Sequence, residues 1–87
     1  MYIIAVYDCG EKRVAKMLKL CRRYLTWIQN SVFEGELSVV QLTELKLEAK
    51  KIMNKDEDSL IIFSSKNPKW MDKEIVGVEK NSTDNFL

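Results

Sequence analysis

The fold is decided by residues 2–8, Tyr-Ile-Ile-Ala-Val-Tyr-Asp, a short apolar run that ends in an acid just before Gly10. Such a run, closed by a turn signal, is typical of a buried β-strand. Apolar side chains fall on both faces of this strand, whereas a sheet with one face in water alternates apolar and polar residues. The run therefore predicts a first strand at residues 2–8 that is covered on both faces.

Two helices are predicted from apolar residues repeating at helical spacing. The first runs from about Glu11 to Tyr24, and the second covers about residues 39–54, with Ser38 as its N-cap. The apolar stripe of the first helix is predicted to contain Val14, Met17, Leu18, Cys21 and Leu25. That of the second is predicted to contain Val39, Leu42, Leu45, Ala49 and Ile52.

Further strands are predicted at residues 27–34, 59–63 and 74–78, with Gly35 as a bulge or turn and a loop around Pro68. If the second strand is broken at Gly35–Leu37, so that Glu36-Leu37 belongs to its hairpin, the order is βαββαβ. This predicts a ferredoxin-like α+β sandwich, an antiparallel sheet with two helices on one face. We expect one domain at residues 1–80 and a tail at 81–87 that ends in Phe86-Leu87 and pairs with a partner subunit.

The other sheet face also needs a cover, because residues 59–63 are apolar on both faces as well. A second copy of the chain is the simplest cover, so we predict a homodimer packed sheet to sheet.

The amino-acid composition limits the catalytic mechanisms and the metal ligands that are available to this chain. The chain of 87 residues contains no histidine, which excludes histidine-dependent nucleophilic and general-base mechanisms. Its two cysteines, Cys9 and Cys21, lack zinc-site spacing, so a bound metal would have oxygen ligands and would be Mg²⁺ or Mn²⁺. No apolar run is long enough for a membrane span, and nothing suggests secretion, so we expect a protein of the reducing cytoplasm.

Charge is balanced overall, with a formal net charge of +1, but the first helix is strongly basic. Against the single acid Glu11 it carries Lys12, Arg13, Lys16, Lys19, Arg22 and Arg23. Such a face either contacts nucleic-acid phosphates without reading sequence, or is an ordinary solvated helix face.

Asp8 is the main candidate for chemistry. It is either a metal ligand at a phosphodiester-cleaving centre or a turn-forming aspartate that caps the first helix. One carboxylate is a poor metal site, but a dimer would bring two Asp8 side chains together near its two-fold axis, where Mg²⁺ could activate a water.

Weaker candidates surround these residues. Trp27, Phe33 and Trp70 could stack bases, although such residues more often lie in cores or interfaces. Glu34 and Glu36 could assist a metal or could be solvated edge residues. Cys9 is expected to be structural, since nothing near it in sequence would activate a thiolate.

The order of these features is similar to a known family. Residues Tyr7-Asp8, residues 10–14 (Gly-Glu-Lys-Arg-Val) and residues 29–37 (Gln-Asn-Ser-Val-Phe-Glu-Gly-Glu-Leu) closely resemble the CRISPR-associated protein two family. The resemblance covers nearly the whole chain. Cys9 departs from it, because a small aliphatic residue is common after the aspartate.

The resemblance implies a ferredoxin-like homodimer in which Asp8 is the metal-binding and catalytic aspartate. It implies a metal-dependent endonuclease acting on RNA or DNA. It also implies a CRISPR adaptation scaffold that holds protospacer DNA and bridges dimers of the integrase, CRISPR-associated protein one. Backbone contacts would then come from Arg13, Lys16, Arg22 and Arg23, mapped by helix position and charge, with Lys12 beside them.

Two other classes share this topology. An RNA-recognition module would place aromatic residues in a motif on a central strand, which residues 60–63 lack. The second class is a ligand-sensing regulatory domain, but this function would not account for the basic residues of the first helix.

Overall fold

A computed structural model describes residues 1–67 and 71–79 of the chain. The predicted loop at Pro68, the candidate Trp70 and the predicted tail at residues 81–87 lie outside the described residues. In chain order the elements are β1 (Tyr2–Asp8), α1 (Glu11–Tyr24), β2 (Thr26–Gln29), β3 (Val32–Glu36), α2 (Val39–Ile52), β4 (Ser59–Ser65) and β5 (Asp72–Gly77).

The strands form one antiparallel sheet in the order β2-β3-β1-β4-β5, with β1 at its centre. The elements from β1 to β4 follow the order βαββαβ, and β5 adds a strand beside β4. The predicted α+β ferredoxin-like fold is therefore confirmed. Neither helix of the described residues is long and apolar enough to cross a membrane.

The second predicted strand, residues 27–34, is a hairpin of two strands that breaks at Asn30 and Ser31. Gly35, where the sequence predicts a bulge or turn and the break, lies within β3 instead. β2 and β3 are joined through Asn30 and Ser31, and Asn30 has a φ of 46°. Asparagine tolerates this left-handed conformation better than most residues, so it can reverse the chain without a glycine. The pairing register between β2 and β3 shifts between Trp27 and Gln29, so β2 is an irregular strand with a β-bulge.

The core lies between the helices and one face of the sheet, which we call the inner face. β1 contributes Ile3, Ala5 and Tyr7 to it, and Phe33 of β3 stacks on Tyr7 with ring centroids 6.1 Å apart. Helix α1 buries Met17, Leu20 and Cys21 against this face. The predicted stripe was wrong at Val14, which is 38% exposed, because the buried face of the helix is centred nearer Leu20.

Helix α2 begins at the predicted cap. The Ser38 side chain accepts from the Gln41 backbone N–H at 3.1 Å, and the Gln41 side chain accepts from the Ser38 backbone N–H at 2.9 Å. This capping box satisfies two backbone donors at the helix start. The helix buries Leu42, Leu45 and Ala49 as predicted, whereas Val39 is exposed and Ile52 is only partly buried.

Among the described residues, no helix lies on the opposite face of the sheet, which we call the outer face. The alternation of β1 turns Ile4 and Val6 to this face, where they lie opposite Phe63 and Ile61 of β4. These apolar side chains are only half-buried within one chain. The prediction that both faces of β1 are apolar therefore holds, and the outer face is a continuous apolar strip.

Candidate functional site

Asp8 is the last residue of β1, with its side chain exposed at the end of the outer face. Strand alternation puts it on the same face as Ile4 and Val6, and its register partner on β4 is Ser59. Helix α1 takes Gly10 as its N-cap residue. The alternative in which Asp8 occupies the cap position is therefore not what the structure contains.

The turn between β1 and α1, which follows Asp8 in the chain, is hydrogen-bonded to the side chain of Asp58, and Asp58 is fully buried. One carboxylate oxygen of Asp58 accepts from the Gly10 backbone N–H at 2.8 Å, and the other accepts from the Asn54 backbone N–H at 2.8 Å. Arg13 donates to both oxygens, through Nε and through Nη2, the latter at 3.1 Å. One carboxylate thus ties together the β1–α1 turn, the end of α2 and the first turn of α1.

Electrostatics of this cluster follow from the contacts. The Arg13 guanidinium, followed by the backbone N–H groups, holds the pKa of Asp58 well below its ordinary value despite burial. The same hydrogen bond to Asp58 raises the pKa of Arg13. Arg13 also donates to the exposed Glu57 at 2.9 Å. The Arg13 guanidinium therefore donates its hydrogen bonds to carboxylates of the same chain, and it differs in this from the other basic residues of α1.

Those other residues, Lys12, Lys16, Lys19, Arg22 and Arg23, all have exposed side chains. Within residues 1–67 and 71–79 none of them forms a salt bridge. The Arg23 guanidinium lies 5.5 Å from the ring centroid of Tyr24, a cation–π distance. Most of the predicted basic face is therefore presented to solvent, with Arg13 as the exception.

The ability of one chain to hold a metal was tested on its donor groups. In the described part of the chain, no three acidic or cysteine side chains converge as a metal site requires. Asp8 offers hard carboxylate oxygens at an exposed position, which suits Mg²⁺ in kind but not in number. Within the described residues, Asp8 therefore lacks the further side-chain donors that would complete a cation site.

Glu34 and Glu36, predicted as metal assistants, lie away from Asp8. Glu34 accepts the phenol hydrogen of Tyr2, and Glu36 is 3.4 Å from the N-terminal amino group. Both pair with the start of β1, whereas Asp8 is its last residue. The two glutamates are therefore not brought together with Asp8 within one chain.

The aromatic residues and cysteines that the sequence singles out differ in how deeply they are buried. Phe33 is fully buried in the core, while Trp27 is 49% exposed. Cys9 and Cys21 are not joined in a disulfide. Burial raises the pKa of the Cys21 thiol to about 12, so it stays protonated and unreactive at neutral pH.

The sequence analysis did not single out Asp58 as a candidate residue. Its signal is position, because it directly precedes the buried strand β4. A carboxylate there is expensive to bury without a cation, and Arg13 is the cation that the fold brings to it.

Comparisons with known proteins agree on one family. The family model described as CRISPR associated protein Cas2 matches residues 1–73. The CRISPR-associated endoribonuclease Cas2 of Fusobacterium nucleatum is 49% identical over 92 residues, covering 100% of this chain and 87% of the relative. The protein of the same name from Thermotoga maritima is 48% identical, covering 100% of this chain and 99% of the relative.

Solved structures give the same result. A structure described as the crystal structure of cas2 superimposes with a TM-score of 0.74 at 44% identity, covering 94% of this chain and 92% of the other. Streptococcus pyogenes Cas2, solved at pH 6.5, gives a TM-score of 0.69 at 27% identity, covering 75% of this chain and 86% of the other.

Proposed function

This chain belongs to the CRISPR-associated protein Cas2 family, and from that premise we propose that it is a metal-dependent endonuclease of CRISPR adaptation. In this proposal the protein works in the cytoplasm as a homodimer, and the paired Asp8 carboxylates are its catalytic and metal-binding centre. The phosphodiester substrate is RNA or DNA, held by the basic face of α1. The relatives' printed name, endoribonuclease, makes RNA the first substrate to test.

One observation carries the proposal: Asp8 stands at the end of the uncovered apolar strip on the outer face. Burying the half-exposed Ile4, Val6 and Phe63 against a second copy is favourable at about 25 cal/mol per Å² of apolar surface. A two-fold axis near the Asp8 end of that strip would bring two Asp8 side chains together. A second copy would thus supply a second carboxylate beside that of Asp8.

The division of labour among residues follows from their chemistry. The two Asp8 carboxylates would hold Mg²⁺, and the chemistry that the ion would supply is activation of a water and stabilisation of charge on the phosphate. Asp8 supplies the anionic oxygens that hold such a cation. Lys12, Lys16, Arg22 and Arg23 supply exposed cations for the phosphate backbone. Arg13, also predicted for this role, is committed to Asp58 and is assigned to holding the turn that carries Asp8.

Cleavage is tested with purified dimer, labelled single-stranded RNA and Mg²⁺. We expect Asp8→Asn to abolish Mg²⁺-dependent cleavage while the dimer is retained. Glu44→Gln, which removes the same charge from an exposed site on α2, is the matched control and should leave cleavage unchanged. Cleavage that persists in a contaminant-free Asp8→Asn preparation would exclude Asp8 as the catalytic residue.

The dimer surface is tested by placing a charge on the outer face. We expect Val6→Glu to dissociate the dimer, because the carboxylate would be desolvated between two apolar strips. Val40→Glu is the control, since Val40 on α2 is 67% exposed. Light scattering after size-exclusion chromatography measures both masses. A Val6→Glu variant that stays dimeric would contradict packing through the outer face.

Backbone binding by α1 predicts a salt-dependent, sequence-independent affinity. Lys16→Ala should weaken RNA binding and lower the salt slope by about one, whereas Lys50→Ala on α2 should not. A Lys16→Ala variant with unchanged affinity and slope would remove this face from the proposal.

A second candidate function is a scaffold without turnover, which holds protospacer DNA and bridges dimers of CRISPR-associated protein one. The lack of a complete metal site in the described part of one chain favours it. The scaffold predicts that Asp8→Asn leaves spacer acquisition intact, whereas an obligatory nuclease predicts its loss.

A further inference from the structure

Asp58 is hydrogen-bonded through every polar group that it has. Its backbone N–H donates to the Asn54 carbonyl at 2.8 Å, and its backbone carbonyl accepts from the Val78 N–H at 2.9 Å. Its carboxylate accepts from the backbone N–H groups of Gly10 and Asn54, each at 2.8 Å, and from the Arg13 guanidinium. Asp58 is therefore held at once by the end of α2, by the residue that follows β5 and by the start of α1.

Asp8 is connected to Asp58 on two sides. On one side Asp8 pairs across the sheet with Ser59, the residue next to Asp58. On the other side the chain passes through Cys9 to Gly10, whose N–H is bonded to the Asp58 carboxylate. These links close a small ring around the end of β1. Because both sides of the ring meet at Asp58 and Ser59, a displacement of Asp58 is passed directly to the backbone of Asp8.

Gly10 packs so closely on this cluster that a side chain would not fit. A Cβ added to Gly10 would lie 2.5 Å from Nη2 of Arg13 and 3.7 Å from Oδ1 of Asp58. The φ of −57° and ψ of 150° at Gly10 are open to any residue, so the glycine is needed for space and not for backbone conformation. The turn that follows Asp8 therefore lies directly against the Arg13–Asp58 ion pair.

Stability alone is a weak reason for a buried ion pair, because apolar residues of the same volume often stabilise a fold as well or better. The four hydrogen bonds to the Asp58 carboxylate instead fix the directions of the groups that donate them. Such precision matters at Asp8, because the proposed metal centre takes one Asp8 from each of two chains. Any shift of Asp8 then occurs in both chains at once, by symmetry.

We propose that Asp58 is a positioning residue for the metal centre at Asp8, and that it acts through Gly10 and Ser59. Asp58 is fully buried, so it touches neither the metal nor the substrate. The inference rests on the proposed function and adds to it the buried group that orients the metal ligand. Groups that orient a ligand without touching the metal change metal affinity or activity about 10- to 100-fold when they are removed.

The first test needs no metal and no substrate, and follows amide hydrogen exchange of the metal-free protein by NMR. In Asp58→Ala the Gly10 amide should exchange faster by a larger factor than the amide of Ala5, in the middle of β1. Leu42→Ala, which removes a buried side chain from the first turn of α2, is the matched control and should accelerate both amides by similar factors. Similar factors at Gly10 and Ala5 in Asp58→Ala would assign Asp58 to overall stability and overturn the proposal.

The second test measures Mn²⁺ binding to the dimer by electron paramagnetic resonance. Asp58→Ala should weaken Mn²⁺ binding about 10- to 100-fold with the stoichiometry of the wild type, because both Asp8 carboxylates remain. Leu42→Ala should bind Mn²⁺ as the wild type does, although it also lowers stability. Raising the Mg²⁺ concentration should restore RNA cleavage to Asp58→Ala and not to Asp8→Asn. An Asp58→Ala protein that binds Mn²⁺ as tightly as the wild type would refute the positioning role.

Gly10→Ala disturbs the same cluster while keeping Asp58, so the proposal stays testable if Asp58→Ala does not fold. The added methyl group would push Nη2 of Arg13 away from the Asp58 carboxylate, and Mn²⁺ binding should weaken as in Asp58→Ala. Glu57→Gln is the matched control: it weakens only the exposed contact of Arg13 and should leave Mn²⁺ binding unchanged. Equal Mn²⁺ affinity in Gly10→Ala and the wild type would contradict the proposal.

Failure of this inference can be told from failure of the proposed function. If the wild-type dimer binds Mn²⁺ through Asp8 and Asp58→Ala binds it equally well, the metal centre stands and the positioning role is wrong. If the wild type binds no Mn²⁺ and cleaves no RNA, the proposed function has failed and the positioning role fails with it.

Discussion

Replacing Asp58 with asparagine is expected to destabilise the protein by about 3 kcal/mol. The Asp58 carboxylate accepts four hydrogen bonds, from Gly10, from Asn54 and twice from Arg13. Asparagine keeps one acceptor oxygen and presents an NH₂ group to N–H donors. The substitution therefore removes the charge that pairs with Arg13 and leaves at least one backbone donor without an acceptor.

The magnitude follows from burial. Removing one partner of a buried ion pair costs about 3–5 kcal/mol. Asp58 is fully buried, but the Arg13 side chain is 22% exposed, so water screens part of the loss and the lower end applies. In a domain of 87 residues each kcal/mol lowers Tm by about 4–8 °C, which predicts a decrease of about 12–24 °C.

Urea and thermal unfolding followed by circular dichroism measure the change, at one protein concentration because the stability of the proposed dimer would depend on concentration. Glu57→Gln is the matched control: its side chain is 65% exposed, so its bond to Arg13 should contribute at most about 1 kcal/mol. Combining Asp58→Asn with Arg13→Met should cost less than the sum of the single changes. If Asp58→Asn costs no more than Glu57→Gln, Asp58 is not the anchor of this turn.

Three further predictions concern the same region. Because Arg13 lowers the pKa of folded Asp58, the unfolded chain binds the extra proton, and the free energy of unfolding should fall as the pH drops below about 5. This pH slope should be smaller in Asp58→Asn, and an unchanged slope would contradict the assignment. Gly77→Ala should destabilise the fold by about 1–3 kcal/mol in urea unfolding, because Gly77 has a φ of 97° and an added Cβ would lie 2.2 Å from the Asp58 carbonyl oxygen. Cys21, whose pKa burial raises to about 12, should react with a thiol reagent at neutral pH only at the unfolding rate, and faster labelling would refute its burial.

The fold was predictable because its signals are local and agree with one another. Residues 2–8 read as a strand from their apolar run alone, and the structure keeps those bounds. Helix α1 keeps the predicted bounds as well, and Ser38 caps α2 where the sequence predicts it. In each case propensity, periodicity and the adjoining turn residue favour the same structure.

The position of the hairpin turn was missed because the turn has no glycine and the strands on both sides are rich in β-formers. Only Asn30 and Ser31 separate Gln29 from Val32, and the left-handed conformation of Asn30 is visible only in the folded backbone. The buried face of α1 was also predicted imperfectly, because the helix has more apolar residues than the sheet can cover. In the folded protein Leu20 is buried and Val14 is exposed.

The position of Asp8 at the end of β1 was predictable from the sequence, whereas the hydrogen-bonding role of Asp58 was not. Asp8 is conspicuous because it ends an apolar run, which sequence alone displays. Asp58 matters through a partner 45 residues away, and helical spacing gave Arg13 the same role as its basic neighbours. Which cation of a basic helix turns inward is decided by the loop that packs beneath it, and that loop is distant in sequence.

Binding of Mn²⁺ to the intact dimer tests the central claim most directly, because it reads the metal site without relying on cleavage. Isothermal titration, with electron paramagnetic resonance of the bound ion, gives both stoichiometry and affinity. A centre made by two Asp8 carboxylates predicts one Mn²⁺ for every two chains in the wild type, none in Asp8→Asn, and an unchanged dimer mass in both. One ion per chain, or an Asp8→Asn dimer that binds Mn²⁺ as the wild type does, would contradict a metal centre shared between the two Asp8 residues.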